Sequence, residues 1–207
     1  MDPFFVSLPV LLSFGLASLL IELTPGPNMT YLALVAASEG RRAGFATVGG
    51  VALGLAAIGL AAAFGVAELV SASPLAYETL RWAGVAFLLY LAWDGWRQEA
   101  GAVMTEESSG RYFTRGLVTN ILNPKAAVFY IAVLPTFLDP ARPALPQTLA
   151  LTTVYVGVAT IVHAAIVVLA GTLEPVLNDP RRERIARRVL SALLALVALW
   201  FGWSTAR

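Results

Sequence analysis

Lys125 is the one lysine among 207 residues. It stands in an apolar run, 116–137, that carries no other charge. A lysine at the centre of a membrane helix costs about 2.5–3.5 kcal/mol, so keeping one there points to work at a pathway or gate. Snorkelling to an interface, or a salt bridge that locks packing, are the plain alternatives. Glu22 is the nearest acidic candidate for a partner, two residues before Thr24. A carboxylate beside a cavity can bind a substrate amine, pair with Lys125 or carry a coupled proton. An interfacial acid with no further role is its plain alternative. Asn28, Asn120 and Asn123 add amide donors and acceptors. Asn120 and Asn123 have the i, i+3 spacing of one helix face, and Asn also caps helix starts. His163 reads as a packed, hydrogen-bonded residue rather than a proton relay, and Tyr31, Tyr130 and Tyr155 as packing rather than the lining of a path. Glu68 and Asp94 fall near the ends of apolar runs and read as solvated.

Two backbone breaks position these side chains. Thr24-Pro25-Gly26-Pro27-Asn28 interrupts one apolar run and Asn123-Pro124-Lys125 interrupts another. Proline lacks an N–H and clashes with the preceding turn, and the residue before it is pushed from helical angles. Unpaired backbone in hydrocarbon costs several kcal/mol per group, so such breaks persist only where protein or a water-filled cavity surrounds them. A pair of Pro/Gly-interrupted apolar segments, one in each half, points to the binding site of a transporter. The half-helices starting after Pro27 and Pro124 would turn positive ends toward a carboxylate. On this reading Thr24, Pro25, Gly26, Pro27, Asn28, Asn120, Asn123, Pro124 and Lys125 form a substrate site, and Glu22 couples a proton. Asn28 and Asn123 should then lie near one another, with Lys125 reaching the same space.

The whole chain supports a membrane setting. It is 58% hydrophobic and 13% charged, against about 25% charged in ordinary soluble domains. The expected fold is all-α, with six transmembrane helices forming two inverted three-helix repeats. The spans are 4–23 with a half-helix at 29–37, then about 45–70, 80–96, 116–137, 148–173 and 189–203. Gly50 and Gly54 form a GxxxG pair for close helix packing. Residues 97–115 and 178–188 read as polar connections, and 139–146 as a tight, proline-bearing loop. All five tryptophans fall near span ends, as an aromatic belt requires. One transmembrane domain, 1–207, would hold repeat one at about 1–97 and repeat two at about 111–207. Alternate connections carry ten arginines on one face against three on the other, which puts the ten in the cytoplasm and both termini outside. Met1-Asp2-Pro3 lacks the basic start and small-residue cleavage site of a signal peptide, and reads as the start of a mature span.

Several functions are disfavoured. The chain has no cysteine and one histidine, which excludes disulfides, thiolate metal sites and a multi-histidine centre. There is no Walker motif, nucleophile elbow or zinc signature. No cofactor is called for, and the net charge of +1 gives no reason to expect a nucleic-acid partner. The basic run 181–188 sets topology, with anionic-lipid binding as a secondary reading.

Thr24-Pro25-Gly26-Pro27-Asn28, Gly40-Arg41-Arg42-Ala43-Gly44, Phe113-Thr114-Arg115-Gly116 and Asn120-Ile121-Leu122-Asn123-Pro124-Lys125-Ala126, in this order and spacing, resemble the lysine-exporter translocator family, which includes homoserine and threonine exporters. The resemblance covers essentially the whole chain. It implies a bacterial inner-membrane exporter of amino acids or their derivatives, driven by the proton gradient, whose proline motifs line the transport site. Glu22 and His163 lie outside those motifs. The expected partners are an amino-acid substrate, protons and membrane lipids, with homo-oligomer formation left open. A membrane enzyme acting on a lipid-like substrate would need clustered carboxylates or histidines at one interface, which the sequence lacks. A non-transporting scaffold would leave Lys125 and both breaks without a purpose.

Overall fold

The computed structural model describes residues 6–23, 26–65, 73–97, 106–172 and 180–204. All regular structure among the described residues is helical. Helix α1 (Leu8–Leu23) meets α2 (Pro27–Ser38) at 62° across the first break. Gly26 is extended there (φ −161°, ψ 178°), and Pro27 opens α2, where its missing N–H is no loss. Gly40, in the left-handed region at φ 83°, turns the chain into α3 (Gly40–Ala63). Then come α4 (Pro74–Arg97) and α5 (Glu106–Ile121). At the second break Asn123 is extended (φ −85°, ψ 104°) and its side chain accepts from the Lys125 N–H, capping α6 (Pro124–Val128). The chain runs on as a π-helical turn (Phe129–Val133) and a 3-10 turn (Leu134–Phe137). This second broken helix bends by 49°. Helices α7 (Ala144–Ala170) and α8 (Pro180–Ser204) complete the fold.

Three sequence expectations change. The connection 97–115 is partly helix, since α5 starts at Glu106; acidic residues favour a helix N-terminus, and a helix need not stop where the hydrocarbon does. The basic stretch 178–188 lies largely in α8, which Pro180 opens. Asn120 and Asn123 do not share a helix, because α5 ends at Ile121. Among the described residues, α3 and α7 are each long and apolar enough to cross a membrane, and the two bent pairs bring the number to four if each is one span. Helices α4 and α8 are 24 and 25 residues long, but charged residues occupy their ends.

Close packing follows the glycines. A Cβ on Gly50 would strike Phe113 O, and one on Gly116 would strike Thr47 O, so α3 and α5 lie backbone against backbone. This is the close approach that the Gly50/Gly54 pair leads one to expect. Residue numbers rise together along this contact, from Thr47 with Gly116 to Gly54 with Asn120, so the two helices are parallel. Helices α1 and α7 are parallel in the same way: Gly15 meets Val154 and Glu22 meets His163. Helices α3 and α7 are antiparallel, with Gly44 on Val167 and Gly59 on Thr152. So are α4 and α8, with Gly202 on Val85 and Arg188 over Trp96.

The outside is apolar. Leu8, Leu12, Leu16, Leu20 and Leu23 form one stripe along α1, each more than half exposed. All five tryptophans are exposed. Such surface suits hydrocarbon, not water.

Candidate functional site

The two breaks face one another. Glu22, Gly26, Asn28, Met29, Asn120, Asn123, Lys125, Ala126 and Tyr155 line a cavity of about 260 Å³. Most of its lining side chains are polar, although the helices that carry it are apolar. Residues from both breaks therefore share one space, with Lys125 among them. Pro27 is buried at the start of α2, and Pro124 opens α6. Thr24 and Pro25 lie outside the described residues.

A hydrogen bond joins the halves: Asn28 Nδ2 donates to Asn120 Oδ1 at 2.8 Å, with both residues buried. Asn28 is thus not the N-cap of α2; Gly26 holds that position and has no side chain to cap with. Asn28 Oδ1 and Asn120 Nδ2 are buried and have no hydrogen-bond partner among the described residues. An unpaired buried polar group costs about 1–3 kcal/mol, so the site keeps one acceptor and one donor in reserve. Asn123 does cap, as its residue type suggests.

Glu22 is buried at the end of α1, only 5% exposed. Burying a carboxylate costs several kcal/mol unless its oxygens are matched. Tyr155 OH donates to Oε1 at 2.8 Å. His163 Nε2 lies 3.1 Å from Oε2, in a contact not aligned as a hydrogen bond. Tyr155 thus does more than pack, and it and His163 both meet Glu22, the one acid that is buried among the described residues. Eight residues separate them in the sequence, about 12 Å along α7, and spacing alone does not show that they converge. Their i, i+8 relation, which keeps them on one helix stripe, was the available signal.

An aromatic wall borders the cavity. Phe129 stacks on Tyr155 with ring centres 4.1 Å apart, and Phe14 lies 5.5 Å from Phe129 and 5.2 Å from Phe137. Beyond it a second hollow of about 320 Å³ is lined by Val6, Ser7, Val10, Phe137, Asp139, Arg142 and Gln147. Gln147 Nε2 donates to the carbonyls of Asp139, Arg142 and Pro143, which fixes that loop. Tyr130 is also buried, its hydroxyl donating to Leu55 O at 3.1 Å, and Tyr31 packs with Val35 and Leu88.

At the arginine-rich end, Asp94 is not simply solvated: Arg115 reaches it at 2.7 Å, and their side chains are 29% and 13% exposed respectively. Arg41 donates to Val168 O, one of the last carbonyls of α7, which have no partner within the helix. Glu68 lies outside the described residues.

Apolar helices broken at two prolines, with residues from both breaks around one polar cavity, define a membrane translocator. The chain matches the model of the LysE type translocator family over residues 18–205, and it belongs to that family. It is a multi-pass membrane protein and a transporter rather than an enzyme. It is 32% identical over 190 residues to the homoserine/homoserine lactone efflux protein of Salmonella typhimurium, covering 89% of this chain and 92% of that one. It is 30% identical over 175 residues to an uncharacterized membrane protein of Vibrio cholerae, covering 83% and 85% respectively. No solved structure matches the chain.

Proposed function

We propose that this protein exports a small amino acid of the homoserine type through the cavity between the two breaks. The observation that carries this reading is the shared polar cavity itself, bearing a lysine at one break and a buried carboxylate beside the other. A zwitterion fits this pair. Its carboxylate goes to the Lys125 ammonium and the uncapped start of α2, where peptide dipoles favour negative charge. Its ammonium goes to Glu22, and the spare amide groups of Asn28 and Asn120 bind its polar remainder. The substrate class follows the printed function of the Salmonella relative.

The mechanism we infer is proton-coupled alternating access in the bacterial inner membrane, with Glu22 carrying the coupling. Six spans, in repeats 1–97 and 111–207, would be inverted relative to one another. The antiparallel pairing of α3 with α7 and of α4 with α8 supports this, because each pair joins corresponding helices of the two halves. So does the matched parallel packing of α3 with α5 and α7 with α1. Rocking the halves would open the cavity to one side at a time. The aromatic wall between the cavity and the second hollow suits a gate on the side of the 138–143 loop.

Competition against labelled homoserine counterflow in proteoliposomes tests the binding mode. Homoserine lactone keeps the ammonium but lacks the carboxylate. It should compete at least about tenfold less well than homoserine, the loss of one charged hydrogen bond, and Lys125→Ala should narrow that gap. Equal competition by both in the wild type would contradict the placement of the carboxylate at Lys125.

A further inference from the structure

The chain's single histidine is 1% exposed and sits against the one buried carboxylate at the cavity. Packing alone gives no reason for a histidine there, since an apolar side chain would fill α7 without polar atoms to satisfy. Ionisable groups inside membrane proteins are expensive and mark ion pathways and proton relays. Imidazole also changes charge within the physiological pH range.

We propose that His163 is the proton-carrying partner of Glu22, so that the imidazole's proton and the substrate's ammonium compete for one carboxylate. This rests on the export reading above and deepens it. The geometry divides the carboxylate between two tasks. Tyr155 holds Oε1 from the cavity wall, while Oε2 faces His163 from the buried side of α7. The carboxylate can thus face cavity and imidazole together. The other charged or titratable groups on elements packed against α7 are placed differently. Arg41 of α3 lies at the far end of α7, on Val168 O. Tyr31 of α2 packs in a separate cluster with Leu88 and Leu91. Tyr130 of the π turn donates to Leu55 O, and Lys125 of α6 lines the cavity.

The charges balance as follows. With the cavity empty, a protonated His163 neutralises Glu22. When a substrate ammonium docks on Glu22, the second positive charge is unfavourable, and His163 releases its proton to the side that supplied the substrate. After the substrate leaves on the other side, His163 takes a proton from that side. One proton moves inward for each substrate moved outward, and no bond other than N–H is made or broken.

A protein with one histidine allows a direct reading. Purified protein with isotope-labelled histidine gives a single imidazole signal by NMR, followed across a series of pH values with and without saturating homoserine. The protonated share should fall when homoserine is added. In proteoliposomes, His163→Gln should keep homoserine counterflow and lose accumulation driven by a pH gradient. Gly157→Ala, on the same helix with nothing within 4 Å, should keep both activities. An imidazole signal that homoserine leaves unchanged would overturn the proposal. So would a His163→Gln protein that still accumulates homoserine with the pH gradient, or a monodisperse one that has lost counterflow. Absence of counterflow in the wild type would instead overturn the export reading.

Discussion

At the scale of single residues the account turns on two charges held where charge is costly. On the proposed reading Lys125 offers an ammonium to one end of a small zwitterion and Glu22 a carboxylate to the other; both line one cavity. Hydrogen bonds to charged groups contribute about 1.5–3 kcal/mol, so Lys125→Ala should weaken homoserine binding about tenfold or more. Lys125→Arg should not restore it, because a planar fork does not replace a compact ammonium. Calorimetric titration of the two purified variants checks both expectations. The Asn28–Asn120 bond joins the halves, so Asn120→Ala should lower thermal stability by about 1–3 kcal/mol, the cost of an orphaned buried donor. Sequence reading reached Lys125, Glu22 and the three asparagines because their residue types are out of place in apolar runs. It did not foresee the contact of His163 with Glu22, because a lone histidine in an apolar helix looks like packing. Only the tertiary fold shows that a carboxylate 141 residues earlier in the chain lies against it.

At the scale of elements, backbone contact and helix irregularity carry the weight. The α3–α5 approach at Gly50 and Gly116 leaves no room for a methyl group. Gly50→Ala should force the helices apart and destabilise the protein by about 1–3 kcal/mol. Gly157→Ala on α7, where nothing lies within 4 Å, should be tolerated; thermal melts of the two variants in one detergent compare them directly. The π-helical turn places Phe129 in the aromatic wall, and π segments recur at functional sites. Phe129→Ala should open a leak, read as homoserine efflux from loaded liposomes without counter-substrate. Both breaks were legible because proline's effect is local. The π and 3-10 turns after the second were not, since they arise from how the broken helix packs on Phe14 and Tyr155. The start of α5 was misplaced for a related reason: polarity marks where a span meets water, not where its helix ends.

At the scale of the whole molecule, the proposed reading has two inverted halves with the arginine-rich connections in the cytoplasm. In the naturally cysteine-free chain, a cysteine at Ser108 should react with a membrane-impermeant maleimide only from the cytoplasm, and one at Ala141 only from outside. Reaction of both from the same side would contradict the six-span arrangement. The membrane class was legible from composition and the paired breaks. Charged residues in α4 and α8 keep these helices outside the set that qualifies as spans by length and apolarity. The central claim is that substrate occupies the cavity between the breaks, and Met29 lines that cavity beside Asn28. The most direct measurement is the rate at which a maleimide modifies Met29→Cys in active proteoliposomes, with and without homoserine. Homoserine should slow the modification, and completed modification should stop counterflow. Modification at an unchanged rate in saturating homoserine, with transport continuing afterwards, would place the substrate elsewhere.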